Sequence, residues 1–111
     1  MLVRMTTEAA LEYAALPERE QDALESGFAK LAALGEAVPF PHASAVRSVR
    51  GLRELRPRAG RCRWRAFFRR VADVIVVAAI GPEAEVDPRG FQRAVHAAAL
   101  RLAREEMSSD A

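Results

Sequence analysis

Arginines recur at every second position in the middle of the chain. Arg61, Arg63 and Arg65 alternate with apolar residues. In a β-strand, side chains two positions apart point to the same face and lie roughly 6.6 Å apart. Each guanidinium is planar, permanently charged and suited to bidentate contacts with phosphate. The spacing therefore predicts a rigid row of cations that binds successive phosphates of RNA, with Phe67 on the same face available to stack a base.

The charge around this row is strongly local. Residues 47–70 carry ten arginines and one acid, a net charge of +9, whereas residues 1–46 carry −4 and residues 71–111 carry −3. Such asymmetry favours a polyanion or an acidic protein as the partner. The alternative is a solvated sheet face whose charges only maintain solubility and prevent aggregation. We favour RNA binding because the charge is confined to one segment. The predicted RNA-binding residues are Arg53, Arg56, Arg61, Arg63, Arg65, Phe67 and Arg69.

Few side chains in the sequence could move a proton near neutral pH. His42, in a proline-containing loop, could serve phosphodiester cleavage, although a lone loop histidine more often has no such role. Glu83, Glu85 and Asp87 could supply a general acid or base, or bind a hard cation. Capping of the helix that follows Asp87 is the simpler explanation of this acidic segment. The catalytic candidates are Arg56, Arg63, Arg65 and His42.

Several classes of protein are disfavoured by composition. Cys62 is the single cysteine, so no internal disulfide and no cysteine-based metal cluster is expected. No apolar run approaches the ~20 residues of a membrane helix. The first residues lack the long apolar stretch of a signal peptide. We therefore expect a cytoplasmic protein without a metal, another cofactor or a membrane partner.

The first 35 residues predict an edge strand followed by a helical hairpin. Residues 2–5 form a short apolar run that is typical of a strand. Thr6 or Thr7 can cap a first helix, and a second helix is expected to begin at Pro17 and end at Gly35. The apolar stripe of the second helix is predicted to contain Leu24, Phe28, Leu31 and Leu34.

The rest of the chain predicts a loop, a three-stranded meander and a final helix. The predicted ranges are a loop at 36–50, strands at 51–56, 61–69 and 73–80, a turn at 57–60, and a helix from Asp87 to about Glu106. Residues 1–107 then form one domain, and residues 108–111 are expected to fray. The predicted fold is α+β, with the helical hairpin and the C-terminal helix packed on a mainly antiparallel sheet of about four strands.

Two short segments of the chain resemble a known motif. The sequence Gly-Leu-Arg-Glu-Leu-Arg-Pro at 51–57, followed by Trp-Arg-Ala-Phe-Phe at 64–68, resembles the RelE/ParE toxin superfamily, and its phage-derived, HigB-like branch in particular. The order of elements is similar over nearly the whole chain. The resemblance implies the toxin of a type II toxin–antitoxin pair that cleaves mRNA on the ribosome. Its partners would be mRNA, the ribosome and a cognate antitoxin encoded by a neighbouring gene.

The resemblance also bears on individual residues. Arg56 and Arg65 match positions where the family places arginines near its RNA-binding face. Residues 81–88 contain acids where HigB-like relatives commonly carry a basic segment, and the terminal tyrosine or histidine of some family nucleases is missing. A second function therefore stays open, that of a non-catalytic, toxin-like binding module that inhibits RNA, gyrase or another acidic target. The oligomeric state is not readable from the sequence.

Overall fold

Three helices pack on a five-stranded mixed sheet in the computed structural model, which describes residues 1–110. The predicted α+β class is confirmed, and the sheet has one strand more than expected. The elements are β1 (Leu2–Met5), α1 (Thr7–Ala14), α2 (Glu18–Leu34), β2 (Ala43–Ala45), β3 (Arg53–Leu55), β4 (Trp64–Val71), β5 (Val74–Pro82) and α3 (Pro88–Asp110). Short 3-10 turns occupy Gly35–Ala37 and Pro57–Gly60.

The additional strand is β2, which lies within the segment predicted as a loop. The sheet order is β1-β5-β4-β3-β2, with β1 parallel to β5 and the other pairs antiparallel. Three residues, Ala43–Ala45, are too short to show the alternation that identifies a strand. The expectation that residues 36–50 form only a loop is therefore wrong. The pairing of β2 with β3 adds the middle of that segment to the edge of the sheet.

Helices cover both faces of the sheet. On one face, Phe68 and Val77 pack with Leu24 and other residues of the helical hairpin. On the opposite face, Phe67 packs in a second cluster that includes Leu102 of α3. The prediction that residues 73–80 form a strand buried on both sides is confirmed, since every residue from Ile75 to Gly81 is buried. The sheet therefore leaves no open central face over β4 and β5.

The predicted helix boundaries agree with hydrogen bonds at the helix ends. The Thr6 hydroxyl oxygen accepts a hydrogen bond from the Ala9 N–H at 3.1 Å, as an N-cap does. Asp87 caps α3 in the same way, accepting from the Gly90 N–H at 2.9 Å. Gly35 ends α2 with a φ of 60°, a left-handed conformation that favours glycine. Helix α3 continues to Asp110, beyond the predicted end, and Ala111 lies outside the described residues.

The apolar stripe of α2 is confirmed in part. Leu24 and Leu31 are fully buried, and Phe28 packs at the edge of the same cluster. Leu34, also predicted in the stripe, is 53% exposed. Ten residues after Leu24, the helix has turned about 80° away from the buried direction. The buried face of α2 therefore ends before Leu34 and is shorter than the sequence predicts.

Strand β5 extends past the end of its neighbour β1, and side chains satisfy its exposed edge. The Ile80 N–H donates to Glu12 Oε1 at 3.0 Å. Arg101 donates to both oxygens of Glu12 at 3.0 Å and to the Ala78 carbonyl at 2.9 Å. These bonds join α1, β5 and α3 at one corner of the sheet. Gly81 follows directly, and a Cβ at that position would overlap the Cβ of Ala94, so glycine allows α3 to approach β5 closely.

No helix among residues 1–110 combines the length and the apolarity needed to cross a membrane.

Candidate nucleic-acid interface

The arginine-rich segment does not form one continuous strand. β4 begins at Trp64, so Arg61 and Arg63 lie in the turn that precedes it. Within this turn Arg58 and Ala59 adopt left-handed φ values of 57° and 56°, which interrupt the extended conformation of a strand. The predicted row of three arginines on one sheet face is therefore wrong in its geometry.

Arg65 is a buried structural residue and is only 3% exposed. Its Nη1 donates to the carbonyl oxygens of Cys62 and Trp64, and its Nη2 donates to the Gly60 carbonyl at 3.3 Å and to Glu83 Oε2 at 2.7 Å. Both terminal nitrogens are thus committed inside the protein. The prediction that Arg65 lies on an open RNA-binding face is contradicted by this burial.

Phe67 is also removed from the surface. The ring is fully buried and meets Phe91 of α3 edge to face, with ring centroids 5.4 Å apart. An RNA base could stack on Phe67 only if α3 moved away. The prediction that Phe67 stacks a base fails because alternation along a strand identifies a face but not the helix that covers it.

Acidic residues from outside the segment neutralise part of its charge. Arg65 pairs with Glu83, Arg69 pairs with Glu106 at 2.8 Å, and Arg70 pairs with Glu36 at 3.0 Å. The acids come from the β5–α3 loop, from α3 and from the turn after α2. Roughly a third of the net charge of residues 47–70 is therefore neutralised by ion pairs within the protein.

Arg56 is partly engaged as well. Its Nε donates to the Pro41 carbonyl at 3.1 Å, and its Nη1 lies 3.4 Å from Glu54 Oε1. The guanidinium carbon lies 5.3 Å from the centre of the Phe40 ring, within the range of a cation–π contact. Phe40 is itself 71% exposed, so this pair remains accessible at the surface.

Six arginines of residues 47–70 have no carboxylate within ion-pair distance among the side chains of residues 1–108. They form two groups at opposite ends of β3. We call Arg58, Arg61 and Arg63, in the β3–β4 connection, the turn arginines; all three are exposed. The loop arginines lie in and beside the β2–β3 connection and comprise Arg47, Arg50 and Arg53.

Arg53 differs from the other loop arginines. It is half-buried, and its Nη2 donates to the Val38 carbonyl at 2.8 Å. Its Nε is buried and has no hydrogen-bond partner in the described part of the chain. The predicted RNA-binding role of Arg53 would therefore have to use the rest of its guanidinium. Arg61 and Arg63 are exposed, and within residues 1–108 Arg61 donates only its Nε, to the Arg58 carbonyl at 3.1 Å.

A cavity of about 590 Å³ lies beside the turn arginines. We call it the arginine–tryptophan cavity, because Arg63 and Arg93 line it together with the half-buried ring of Trp64. Its apolar lining includes Pro82 and Ala97. Arg101 also lines the cavity but is paired with Glu12. The cavity therefore combines an aromatic ring with two exposed cations.

A smaller, polar cavity of about 240 Å³ brings together two catalytic candidates. Arg56 and Arg65 line it with Glu54, Glu83 and Glu85. The other two candidates lie elsewhere: Arg63 lines the arginine–tryptophan cavity, and the His42 Nδ1 lies 3.3 Å from Lys30 Nζ beside α2. The four predicted catalytic residues therefore do not form one site.

Cys62 provides no alternative nucleophile. The thiol is buried and lies 3.2 Å from Glu20 Oε2, to which it donates a hydrogen bond. Burial raises the pKa of the Cys62 thiol, and the Glu20 contact acts in the same direction. Within residues 1–110, no group of three His, Cys, Asp or Glu side chains is placed to hold a metal ion.

Two residues of the interface were missed from the sequence. Trp64 lies on the face of β4 that packs against the first core cluster, as expected of a core residue, but it also lines a cavity. Arg93 was not singled out. A pattern in the sequence could have indicated it. Small and basic residues recur on α3 at three- and four-residue spacing: Gly90, Arg93, Ala94, Ala97 and Arg101.

No family model matches the sequence, and comparisons with curated proteins and with solved structures likewise find no match.

The position of Arg65 predicts a loss of stability on its removal. Arg65→Ala leaves Glu83 and three carbonyl groups without their donor, so we expect the free energy of unfolding to fall by about 3–5 kcal/mol. Arg65→Lys should recover only part of this loss, because an ammonium lacks the planar fork. Arg61→Ala, in the exposed turn, should change stability by less than about 0.5 kcal/mol. Urea denaturation of the three variants measures these differences; equal stabilities would contradict a structural role for Arg65.

Proposed function

We propose that the protein binds single-stranded RNA through the turn arginines and the adjoining arginine–tryptophan cavity. The observation that carries this proposal is the division of the basic segment into paired arginines and exposed, unpaired ones. A paired guanidinium must give up a carboxylate before it can bind a phosphate, whereas an unpaired one exchanges only water and counterions. The turn arginines, like the exposed loop arginines Arg47 and Arg50, can therefore bind a phosphate without first losing a carboxylate partner.

The surroundings of the turn arginines favour a single strand over a duplex. A base within a duplex is stacked on its neighbours and presents only its edge. Bases of single strands can leave the stack and pack on aromatic side chains. Trp64 lies in a cavity next to Arg63, so a phosphate and a base can be bound side by side. The loop arginines, at the other end of β3, carry comparable charge but no tryptophan.

We propose further that this binding serves a toxin of a toxin–antitoxin pair that acts in the cytoplasm. Support comes from the resemblance of residues 51–57 and 64–68 to the RelE/ParE superfamily and from the order of strand, helical hairpin, meander and C-terminal helix. An antitoxin would then bind the unpaired arginines and compete with RNA. Inhibition by binding alone is favoured over cleavage, because the catalytic candidates lie in separate places.

Cleavage is the second candidate, and the polar cavity favours it. In such a reaction the 2′-hydroxyl oxygen attacks the adjacent phosphorus, the bond to the 5′-oxygen breaks, and a cyclic phosphate forms. A base must take the 2′-hydroxyl proton, and an acid must protonate the leaving oxygen. Glu85 is exposed and lines the cavity with Arg56, so it is the carboxylate best placed to take the proton. Arg56 would stabilise the charge that develops on the phosphoryl oxygens.

The two arginine groups provide a matched test of RNA binding. We expect Arg61→Glu with Arg63→Glu to weaken binding of a labelled single-stranded RNA by about tenfold or more. The slope of log affinity against log salt should become shallower by about 1.4, or about 0.7 for each lost phosphate contact. Arg47→Glu with Arg50→Glu changes the net charge equally and should have the smaller effect. Fluorescence anisotropy at several salt concentrations measures both quantities.

Equal losses in the two double variants would mean that net charge alone attracts RNA, and the turn arginines would then not be the site. Salt-independent binding would contradict the proposal altogether. Circular dichroism and urea denaturation of each variant separate lost binding from lost folding, and both pairs lie in exposed turns where substitution is tolerated.

Controlled expression tests the toxin role and distinguishes its two mechanisms. We expect expression of the chain to arrest growth and the Arg61→Glu, Arg63→Glu variant to relieve the arrest. Mapping of mRNA 5′ ends should show no new cleavage sites if binding alone inhibits. New ends that disappear in Glu85→Gln would instead assign cleavage to the polar cavity. Unimpaired growth with abundant folded protein would contradict the toxin role without affecting RNA binding.

A further inference from the structure

The arginine–tryptophan cavity has the chemistry of a nucleotide subsite. Its volume of about 590 Å³ lies within the range of about 300–1,000 Å³ that is common for ligand pockets. Aromatic and apolar lining suits a nucleobase, and exposed guanidinium groups suit the phosphates attached to it. The charges of the cavity decide which ligand fits best.

Most charged groups of the cavity are already engaged within the protein. Arg101 is held by both oxygens of Glu12, and Asp87 caps the N-terminus of α3 through the Gly90 N–H. Arg63 and Arg93 remain, and both are exposed without a carboxylate partner among the side chains of residues 1–108. The lining holds three arginines against the two carboxylates of Glu12 and Asp87, so its formal net charge is +1 and an anion is the complementary ligand.

Trp64 adds a requirement for a flat, apolar group. Its side chain packs against the core cluster beneath the helical hairpin, and this packing restricts the motion of the ring. Trp64 also lines the cavity. Stacking on an immobilised ring costs little conformational entropy, so even a single base can gain from it. Phosphate alone would leave this surface unused.

We infer that the arginine–tryptophan cavity binds one unstacked nucleotide of the RNA, with its base against Trp64 and its flanking phosphates at Arg63 and Arg93. This inference rests on the proposed RNA binding and names the residues that hold a base. The turn arginines Arg58 and Arg61 then contact the strand outside the cavity. Sequence preference is expected to be weak, since every base has a face that can stack.

The chain contains a single tryptophan, so tryptophan fluorescence reports on the surroundings of Trp64, which include this cavity. Titration with a short single-stranded RNA should quench Trp64 emission. Titration with an abasic sugar–phosphate oligomer of the same length should occupy the arginines, as shown by competition for labelled RNA, and leave the emission nearly unchanged. A free mononucleotide should quench only at much higher concentration, which distinguishes a strand from a small-molecule ligand.

Arg93 provides the matched variants. Arg93→Ala should weaken the RNA binding that is detected by quenching about three- to tenfold, because one phosphate contact is lost. Arg89→Ala removes an exposed arginine from the same helix, outside the cavity, and should change binding far less. Trp64→Ala should weaken the binding of labelled RNA about fivefold or more. Trp64→Phe, measured in the same way, should retain part of that affinity.

Each failure points to a different error. RNA that binds without quenching Trp64, or equal quenching by the abasic oligomer, would overturn the nucleotide subsite while RNA binding at the turn arginines stands. Mononucleotide quenching as strong as that of the strand would assign the cavity to a small molecule and overturn the inference. Quenching by an acidic peptide but not by RNA would assign it to a protein partner. Absence of RNA binding at any salt concentration would overturn the proposed function itself.

Discussion

The guanidinium of Arg65 connects strand β4 to the turn that precedes it and to the loop that follows β5. It donates to the carbonyls of Gly60 and Cys62 in the β3–β4 connection and to Glu83 in the loop between β5 and α3. An interior guanidinium requires such complete hydrogen bonding, because an unpaired buried charge is strongly unfavourable. The exposed turn and the start of α3 are therefore held in one arrangement. The turn arginines and the arginine–tryptophan cavity both depend on that arrangement.

The net charge of the arginine-rich segment is larger than the charge available at its surface. Residues 47–70 contain nine more basic than acidic groups, yet acids from outside this segment pair with Arg65, Arg69 and Arg70. These ion pairs join β4 to the elements around it and reduce the charge that a ligand meets. What remains is concentrated in two connections at the ends of β3. We therefore propose that RNA binds at the ends of the strands, because helices cover both faces of the sheet.

The fold was largely predictable from local signals, whereas the site was not. Thr6, Gly35 and Asp87 mark helix ends through their own short-range chemistry, and the continuous apolar run of β5 indicates a strand buried on both sides. In contrast, which arginines are exposed depends on tertiary contacts, which local sequence patterns do not show. Alternation placed Arg65 and Phe67 on a common face, but only the position of α3 shows that this face is covered. β2 was missed because three residues carry too little pattern, and its strand-like role comes from pairing with β3.

The most direct measurement is an NMR titration that follows the Nε–H signals of the arginine side chains as single-stranded RNA is added. Each signal reports on one guanidinium, so the paired and unpaired arginines can be distinguished in the same sample. We expect the signals of Arg58, Arg61, Arg63 and Arg93 to shift on binding, while those of Arg65 and Arg101 stay in place. Equal shifts for Arg65 and Arg63, or shifts confined to Arg47 and Arg50, would contradict this expectation.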